Sequence, residues 1–219
     1  MHQAIVIGAV VDAPGAKCDT FTPMERMTIM LRKTSAALTI AGVVFLAPSA
    51  EAAVTVLGNG LARVCFEVAE FGGNPRDGVA TCSEALEQTA LSMRDRSATL
   101  INRGILYSRL DHPEMALNDY NRGLSIDPDM GEGYVDRGAV YIVLRRYETA
   151  LQDIDKGIEM NANRLQIAYY DRAIVHEALG NVRAAYDDYK KAAEIEPGFV
   201  LANEQLARFK VIRHQGDGT

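Results

Sequence analysis

The sequence predicts an all-α protein: an α-solenoid of three helix-turn-helix repeats, preceded by a helical hairpin and followed by a capping helix. Two observations carry this prediction. Residues 98–197 repeat one pattern of small, aromatic and charged residues three times, with a period of 34 and then 35 residues. The apolar residues on either side of this stretch recur at the spacing of helices. A repeat of this length marks an array in which each unit buries its apolar face against its neighbours.

We divide the 219 residues into consecutive segments. They are 1–23, an upstream extension that we expect to be disordered; 24–52, a signal peptide; 53–94, the hairpin; 95–199, the repeats (97–130, 131–164 and 166–199); and 200–219, the capping helix with a disordered tail. The alternative for 1–23 is a folded element. The net charge of −6 argues against nucleic acid as a partner, because such partners select basic surfaces.

Residues 24–52 have the three parts of a secretory signal. Arg26, Arg32 and Lys33 are its basic region, 36–47 its apolar run, and Ala50-Glu51-Ala52 its cleavage motif. The apolar run is short for a membrane span, although an uncleaved anchor is the alternative. We therefore expect a periplasmic or secreted protein, whose only membrane contact is through this segment.

The hairpin carries the two cysteines of the mature chain, Cys65 and Cys82. Both fall on apolar helical stripes, and they lie at similar distances from the Gly72-Gly73-Asn74-Pro75 turn. We expect Asp77 to cap the second helix. Antiparallel helices joined by a tight turn bring such positions together, so a Cys65–Cys82 disulfide is predicted in an oxidising compartment. The alternative is two buried free thiols.

In the repeats, every first helix carries an arginine followed by a small residue. Every second helix carries an alanine with a large residue four positions later. The pairs are Arg103-Gly104 with Ala116/Tyr120, Arg137-Gly138 with Ala150/Ile154, and Arg172-Ala173 with Ala185/Tyr189. The small residues allow the two helices of a repeat to approach closely. Pro128 and Pro197 end the second helix, because proline cannot continue a helix.

This order of small residue, tyrosine, Ala-x-x-x-aromatic and proline resembles the tetratricopeptide repeat over about half of the chain. Two positions depart from the pattern: Ala162 stands where the second proline is expected, and His176 replaces the third tyrosine. With the cysteine-bearing segment and the signal, the chain is similar to exported proteobacterial members. The resemblance implies a solenoid whose first helices line a concave groove.

Two columns of opposite charge recur in register. Arg103, Arg137 and Arg172 occupy one position of the first helices, and Asp119, Asp153 and Asp188 occupy one position of the second. We interpret them as a ladder of ion pairs between facing helices; the alternative is contact with a ligand.

By the resemblance, a partner-binding groove is lined by residues of the three first helices: Ile101, Asn102, Ile105, Arg109, Val135, Asp136, Ala139, Ile142, Tyr170, Asp171, Ile174 and Glu177. One branch of the family clamps a C-terminal carboxylate in this groove with Lys, Arg and Asn. Because this chain has mostly Ile, Val, Tyr and Asp there, we expect no such clamp. An apolar floor with an acidic edge suits an extended or helical peptide with basic residues. The alternative is that Asn102, Asp136 and Asp171 bond to neighbouring helices.

After the repeats, Val200, Leu201, Leu206, Phe209 and Ile212 alternate with polar residues. This pattern resembles the solvating helix that commonly closes arrays of this family, and the resemblance implies a helix that covers the last repeat with a polar outer side.

The sequence contains no catalytic, metal-binding or cofactor-binding motif. We therefore predict a non-catalytic protein-interaction scaffold that binds a protein or peptide, with no cofactor, small-molecule substrate or nucleic acid. The alternatives are a self-associating structural module, which would form a homo-oligomer, and an accessory subunit of an envelope enzyme complex.

Overall fold

The computed structural model describes residues 29–31, 60–87 and 91–211. In these ranges it contains nine α-helices and two short strands. The helices are α1 (Leu61–Phe71), α2 (Pro75–Glu87), α3 (Met93–Arg109), α4 (Pro113–Ile126), α5 (Gly131–Val143), α6 (Tyr147–Glu159), α7 (Leu165–Ala178), α8 (Val182–Ile195) and α9 (Val200–Leu206); the strands are β1 (Ile29–Leu31) and β2 (Phe209–Val211). The predicted α-solenoid is confirmed: α3–α4, α5–α6 and α7–α8 are three helical hairpins stacked in sequence order.

The three repeats turn between their helices in the same way. The residue after each C-cap has a positive φ: Asp111 (58°), Arg145 (57°) and Gly180 (79°). In each turn the next backbone N–H bonds back into the preceding helix, for example His112 N–H to the Tyr107 carbonyl at 3.0 Å. This arrangement satisfies carbonyls that the helix end leaves free. The three hairpins therefore reverse direction through the same type of turn.

Close approach of the two helices in a repeat depends on the predicted small residues. A Cβ atom added at Gly104 would lie 2.6 Å from the Tyr120 ring, and one added at Gly138 would lie 2.6 Å from Ile154 Cγ1. Tyr120, Ile154 and their counterpart Tyr189 are almost fully buried. The large residue of each second helix therefore fills the space that the small residue leaves.

The hairpin α1–α2 packs on α3 as each repeat packs on the next. Arg103 on α3 donates to Ser83 Oγ on α2 at 2.8 Å, just as Arg137 on α5 donates to Asn121 on α4 at 2.7 Å. A Cys65–Cys82 disulfide, with the Cα atoms 4.9 Å apart, joins α1 to α2. The disulfide lies where each repeat has the contact between the small residue of its first helix and the large residue of its second helix. The hairpin is thus a fourth unit of the array, closed covalently.

Two details of the predicted elements are wrong. The second helix of the hairpin begins at Pro75, so Asp77 lies inside its first turn. The Asn74 side chain accepts the Arg76 N–H at 3.0 Å instead. Proline is favoured at a first helical position because its missing N–H is not needed there, and this moves the start of the helix before Asp77.

The capping helix is also shorter than predicted, because α9 ends at Leu206. Phe209 lies in β2, antiparallel to β1, and its ring packs 5.6 Å from that of Tyr186 and 6.0 Å from that of Tyr189. Phe209 is buried, so an apolar residue at helical spacing reaches the core from a strand. Ile212, residues 1–23 and most of the predicted signal peptide lie outside the described residues.

Candidate functional site

The inner face of the array is the side of α3, α5 and α7 that points away from the second helices α4, α6 and α8. Gly104, Gly138 and Ala173 point toward the second helices. Asn102, Asp136 and Asp171 each lie two residues earlier, which is about 200° around an α-helix. These three polar residues therefore lie on the inner face.

The structure places the twelve predicted groove residues at very different depths. Seven are buried, four are half-buried and Arg109 alone is exposed. The buried residues are Ile101, Asn102, Ile105, Val135, Asp136, Tyr170 and Asp171; the half-buried residues are Ala139, Ile142, Ile174 and Glu177. Ala139 and Ile174, each one turn after the aspartate of its own helix, form a half-buried apolar strip on α5 and α7, and these two helices contact each other. Ile142 lies about 40° around α5 from Gly138 and packs toward α6, in the cluster of Ala150 and Ile154.

Arg109, Glu177 and Tyr170 connect the repeats to the segments on either side. Arg109 donates from Nη2 to the Ala69 carbonyl of α1 at 2.6 Å. Glu177 accepts from the Tyr189 hydroxyl at 2.7 Å and from Arg208 Nη2 at 3.1 Å. Tyr170 packs its ring 5.4 Å from that of Phe199. These contacts fasten the hairpin and the C-terminal segment to the repeats.

The Asp171 carboxyl is buried, and one of its oxygens has no hydrogen-bond partner. Its Oδ2 is buried and has no hydrogen-bond partner, and the residue is 7 % exposed. Burial raises the pKa of the Asp171 carboxyl from 3.8 to about 7. Its counterparts Asn102 and Asp136 are 0 % and 2 % exposed, and each makes a polar or electrostatic contact. A buried acceptor of this kind is costly unless a donor reaches it.

The predicted Arg–Asp ladder is confirmed. Each arginine makes two hydrogen bonds to its aspartate, with Nε···Oδ2 distances of 2.6 Å for Arg103–Asp119, 2.7 Å for Arg137–Asp153 and 2.8 Å for Arg172–Asp188. The aspartates are 2 % to 7 % exposed. Bidentate pairs of this kind are the stronger class of ion pair.

The arginines also make a contact that the sequence did not reveal. Arg172 Nη1 donates to Asp155 of the preceding repeat at 2.7 Å, in the place where Arg103 and Arg137 use Ser83 and Asn121. The hydrogen bond to Asp188 raises the pKa of Arg172, burial lowers it by less, and Asp155 raises it again. The ladder therefore connects neighbouring units as well as the two helices of one repeat. A search for repeats does not detect the three acceptors, because Ser83, Asn121 and Asp155 are of different residue types.

A second contact missed from the sequence joins distant parts of the array. Arg164, directly before α7, forms an ion pair with Glu70 of α1, and the two side chains are 32 % and 19 % exposed. The hairpin thus contacts the third repeat as well as α3. Glu70 and Arg164 have no counterparts at equivalent positions of the other units, so the repeat pattern does not indicate this pair.

His176, which replaces the third tyrosine of the repeat pattern, lies beside the Arg172–Asp188 pair. His176 Nε2 lies 3.7 Å from Asp188 Oδ2, and burial lowers the pKa of this imidazole. Within the described ranges, no three His, Cys, Asp or Glu residues gather in a metal-binding arrangement. In the same ranges, every helix is too short or too polar to cross a bilayer.

Comparison with known proteins identifies the repeats. Residues 97–130 and 167–199 match the tetratricopeptide repeat, so the chain contains repeats of this type. None of the curated proteins matches the chain.

Solved structures with this fold include MamA residues 41 to the end from Desulfovibrio magneticus RS-1, at 16% identity and a TM-score of 0.55, covering 68% of this chain and 82% of that one. The Arabidopsis OM64 TPR domain is 21% identical with a TM-score of 0.51, covering 53% and 96%. The second TPR domain of human RPAP3, in complex with an HSP70 peptide, is 22% identical with a TM-score of 0.50, covering 53% and 97%. At these identities the likeness concerns the fold.

Proposed function

We propose that the protein is a non-catalytic interaction scaffold of the bacterial cell envelope, which binds a peptide or helix on the inner face of its repeats. The observation that carries this proposal is the half-buried apolar strip of Ala139 and Ile174, beside a column of buried polar residues. Tetratricopeptide repeats are protein-interaction modules, and their concave surfaces are extended binding sites. The RPAP3 domain in complex with an HSP70 peptide supports a peptide as the class of ligand.

The site favours a partner with apolar side chains and at least one basic side chain. The strip supplies apolar contact, and Asp136 and Asp171 supply acidic groups on the same face. Arg109, the single basic residue among the twelve, is engaged with α1. Complementary charge across an interface favours the correct partner over others.

Substitution on the strip tests this proposal. Ala139→Asp with Ile174→Asp places two charges on the inner face, at positions that are half-buried. We expect the variant to keep its helical circular dichroism and to lose capture of partners from an envelope extract. Ile195→Asp, at a position 40% exposed on α8, is the matched control. Capture by the double variant equal to that of the control would reject the inner face as the binding site.

The envelope location rests on the order of basic, apolar and Ala50-Glu51-Ala52 segments, and the Cys65–Cys82 disulfide supports it, since such bonds persist in oxidising compartments. We expect the mature protein to begin at Ala53. Mass spectrometry of protein from an exporting bacterium measures this directly, and an intact mass that includes Met24 to Ala52 would contradict cleavage.

A second candidate function is self-association through α1. Val64 and Phe71 are 43% and 78% exposed, and their spacing of seven residues puts them on one side of the helix. Such a patch at the end of a solenoid suits a second copy of the chain. Sedimentation of the purified protein separates the two candidates: a dimer that Phe71→Ser returns to monomer supports self-association, and a monomer at all concentrations rejects it.

A further inference from the structure

We propose that Asp171 is the receptor for a single lysine side chain of the bound peptide. The inference rests on the proposed function and specifies the chemistry of its ligand. It is carried by the placement of one buried, unpartnered carboxylate oxygen on the inner face, next to apolar side chains that reach solvent.

The position of Asp171 on α7 aims it at the inner face. Ala173, two residues later, packs in the cluster that contains Tyr189 of α8, and Asp171 lies about 200° around the helix from it. Arg172, the neighbouring cation, points instead toward Asp188 and Asp155 and is fully engaged there. Arg172 therefore does not neutralise Asp171.

Apolar residues follow Asp171 on the same stripe of α7. Ile174 follows one turn after Asp171 and is half-buried, and Ala178 follows two turns after and is exposed. Side chains three and seven residues apart lie on the same side of a helix. A ligand side chain that enters from solvent along this stripe meets apolar surface first and the carboxylate at its end.

Lysine fits this arrangement better than arginine. Of the two oxygens of Asp171, only Oδ2 is both buried and without a partner, so the two oxygens are not an equivalent pair of acceptors. A guanidinium needs a forked acceptor for its stronger, bidentate mode, whereas an ammonium is a point donor. The four methylene groups of lysine can pack on Ile174, as such stems do on apolar surfaces. The bound ammonium would supply the donor that Oδ2 lacks.

A defined peptide tests the inference. Random twelve-residue peptides displayed on phage are selected on the purified protein, and the most enriched sequence is synthesised in three forms: as selected, with its lysine replaced by norleucine, and with its lysine replaced by arginine. Norleucine keeps the apolar stem and removes the ammonium. Calorimetry measures Kd for each form with the native protein, with Asp171→Asn and with Asp187→Asn. Asp187 is an exposed acid on α8 and serves as the control.

We expect a lysine in the selected sequence. Norleucine should weaken binding to the native protein about 10- to 150-fold, the range for a hydrogen bond to a charged group, and arginine should weaken it by less. Binding to Asp171→Asn should be weak and insensitive to norleucine, while Asp187→Asn should behave as the native protein.

Three results would overturn the inference. Selected peptides without lysine, or a lysine whose replacement changes Kd equally in the native protein and in Asp171→Asn, reject the Asp171 receptor and leave the inner-face scaffold intact. Failure to enrich any peptide rejects both. Because Asp171→Asn removes a buried group that is costly to ionise, we expect the variant to keep its fold, and thermal unfolding of each variant verifies this before the titrations.

Discussion

Asp171→Asn should make the free protein more stable, and the gain should grow with pH. The carboxyl has a pKa of about 7 in the folded protein and 3.8 as its ordinary value, because burial disfavours the charged form. The folded state therefore holds a proton that the unfolded state has released. A pKa raised on folding contributes stability below the unfolded value, and this contribution is lost as pH rises toward the folded value.

The size of the effect follows from the difference between the two pKa values. Between pH 5 and pH 8 the unfolded carboxyl is ionised throughout, while the folded carboxyl loses its proton. At about 1.4 kcal/mol per pKa unit, the native protein should lose about 2–3 kcal/mol of unfolding free energy from this group over that interval. Asparagine has a similar shape and does not titrate, so the variant should not show this loss.

Urea unfolding of both proteins, followed by circular dichroism at pH 5, 6, 7 and 8, measures the difference directly. The difference in unfolding free energy between variant and native protein should increase with pH and level off above pH 7. Asp187→Asn should give a difference near zero at every pH, since this side chain is 60% exposed. A constant difference for Asp171→Asn, or a destabilised variant at pH 8, would refute the assignment of a buried carboxyl without a partner.

Three further substitutions test the packing of the array. Gly138→Leu should lower stability by ~1–3 kcal/mol through overpacking, because even a Cβ atom there lies 2.6 Å from a neighbouring side chain; thermal circular dichroism measures the loss. Replacing Cys65 and Cys82 together by serine should remove about 3 kcal/mol from the hairpin, seen as faster hydrogen exchange in α1 and α2. Arg137→Met should cost about 3–5 kcal/mol in urea unfolding, because it leaves a buried carboxylate unpaired.

The glycine and arginine substitutions each have a control at a position with free space or high exposure, and thiol labelling tests the disulfide directly. Gly198→Ala meets nothing within 4 Å and should leave the melting temperature unchanged. Native protein labelled with a thiol reagent before reduction should show neither Cys65 nor Cys82 modified, and two modified thiols would contradict the disulfide. Arg183→Met, in an exposed pair, should cost no more than about 1 kcal/mol. Equal losses for Arg137→Met and Arg183→Met would mean that burial does not strengthen the ladder.

The parts of the fold that were predictable are those in which one residue type recurs. Arg103 and Asp119 have counterparts of the same type in both other repeats, so the ion pairs follow from the sequence. Ser83 and Asn121 accept hydrogen bonds from equivalent arginines, but they are of different residue types, so only the structure shows that their positions are equivalent.

The sequence predicts on which side of the helices the candidate site lies, but not how deeply each of its residues is buried. Helical geometry places Asn102 and Asp171 on one side of their helices, and the period alone fixes this. How deeply each lies depends on the side chains that neighbouring helices bring, which differ between repeats. This is why the predicted groove includes buried Ile101 beside half-buried Ile174. The prediction of one long capping helix was wrong for a related reason. Phe209 has helical spacing, but it lies in a strand and packs on the aromatic rings of α8.

The disulfide in the hairpin makes the two ends of the array differ in their resistance to unravelling. In a stack held together by nearest neighbours, unravelling begins at whichever end is weaker. The first unit is cross-linked and is fastened by Arg109 to the third helix, whereas the last helix, α9, has seven residues. Force or proteolysis applied at the C-terminus should therefore peel the units off one by one from that side. The same load applied at the N-terminus meets a unit whose two helices stay joined until the Cys65–Cys82 bond is reduced.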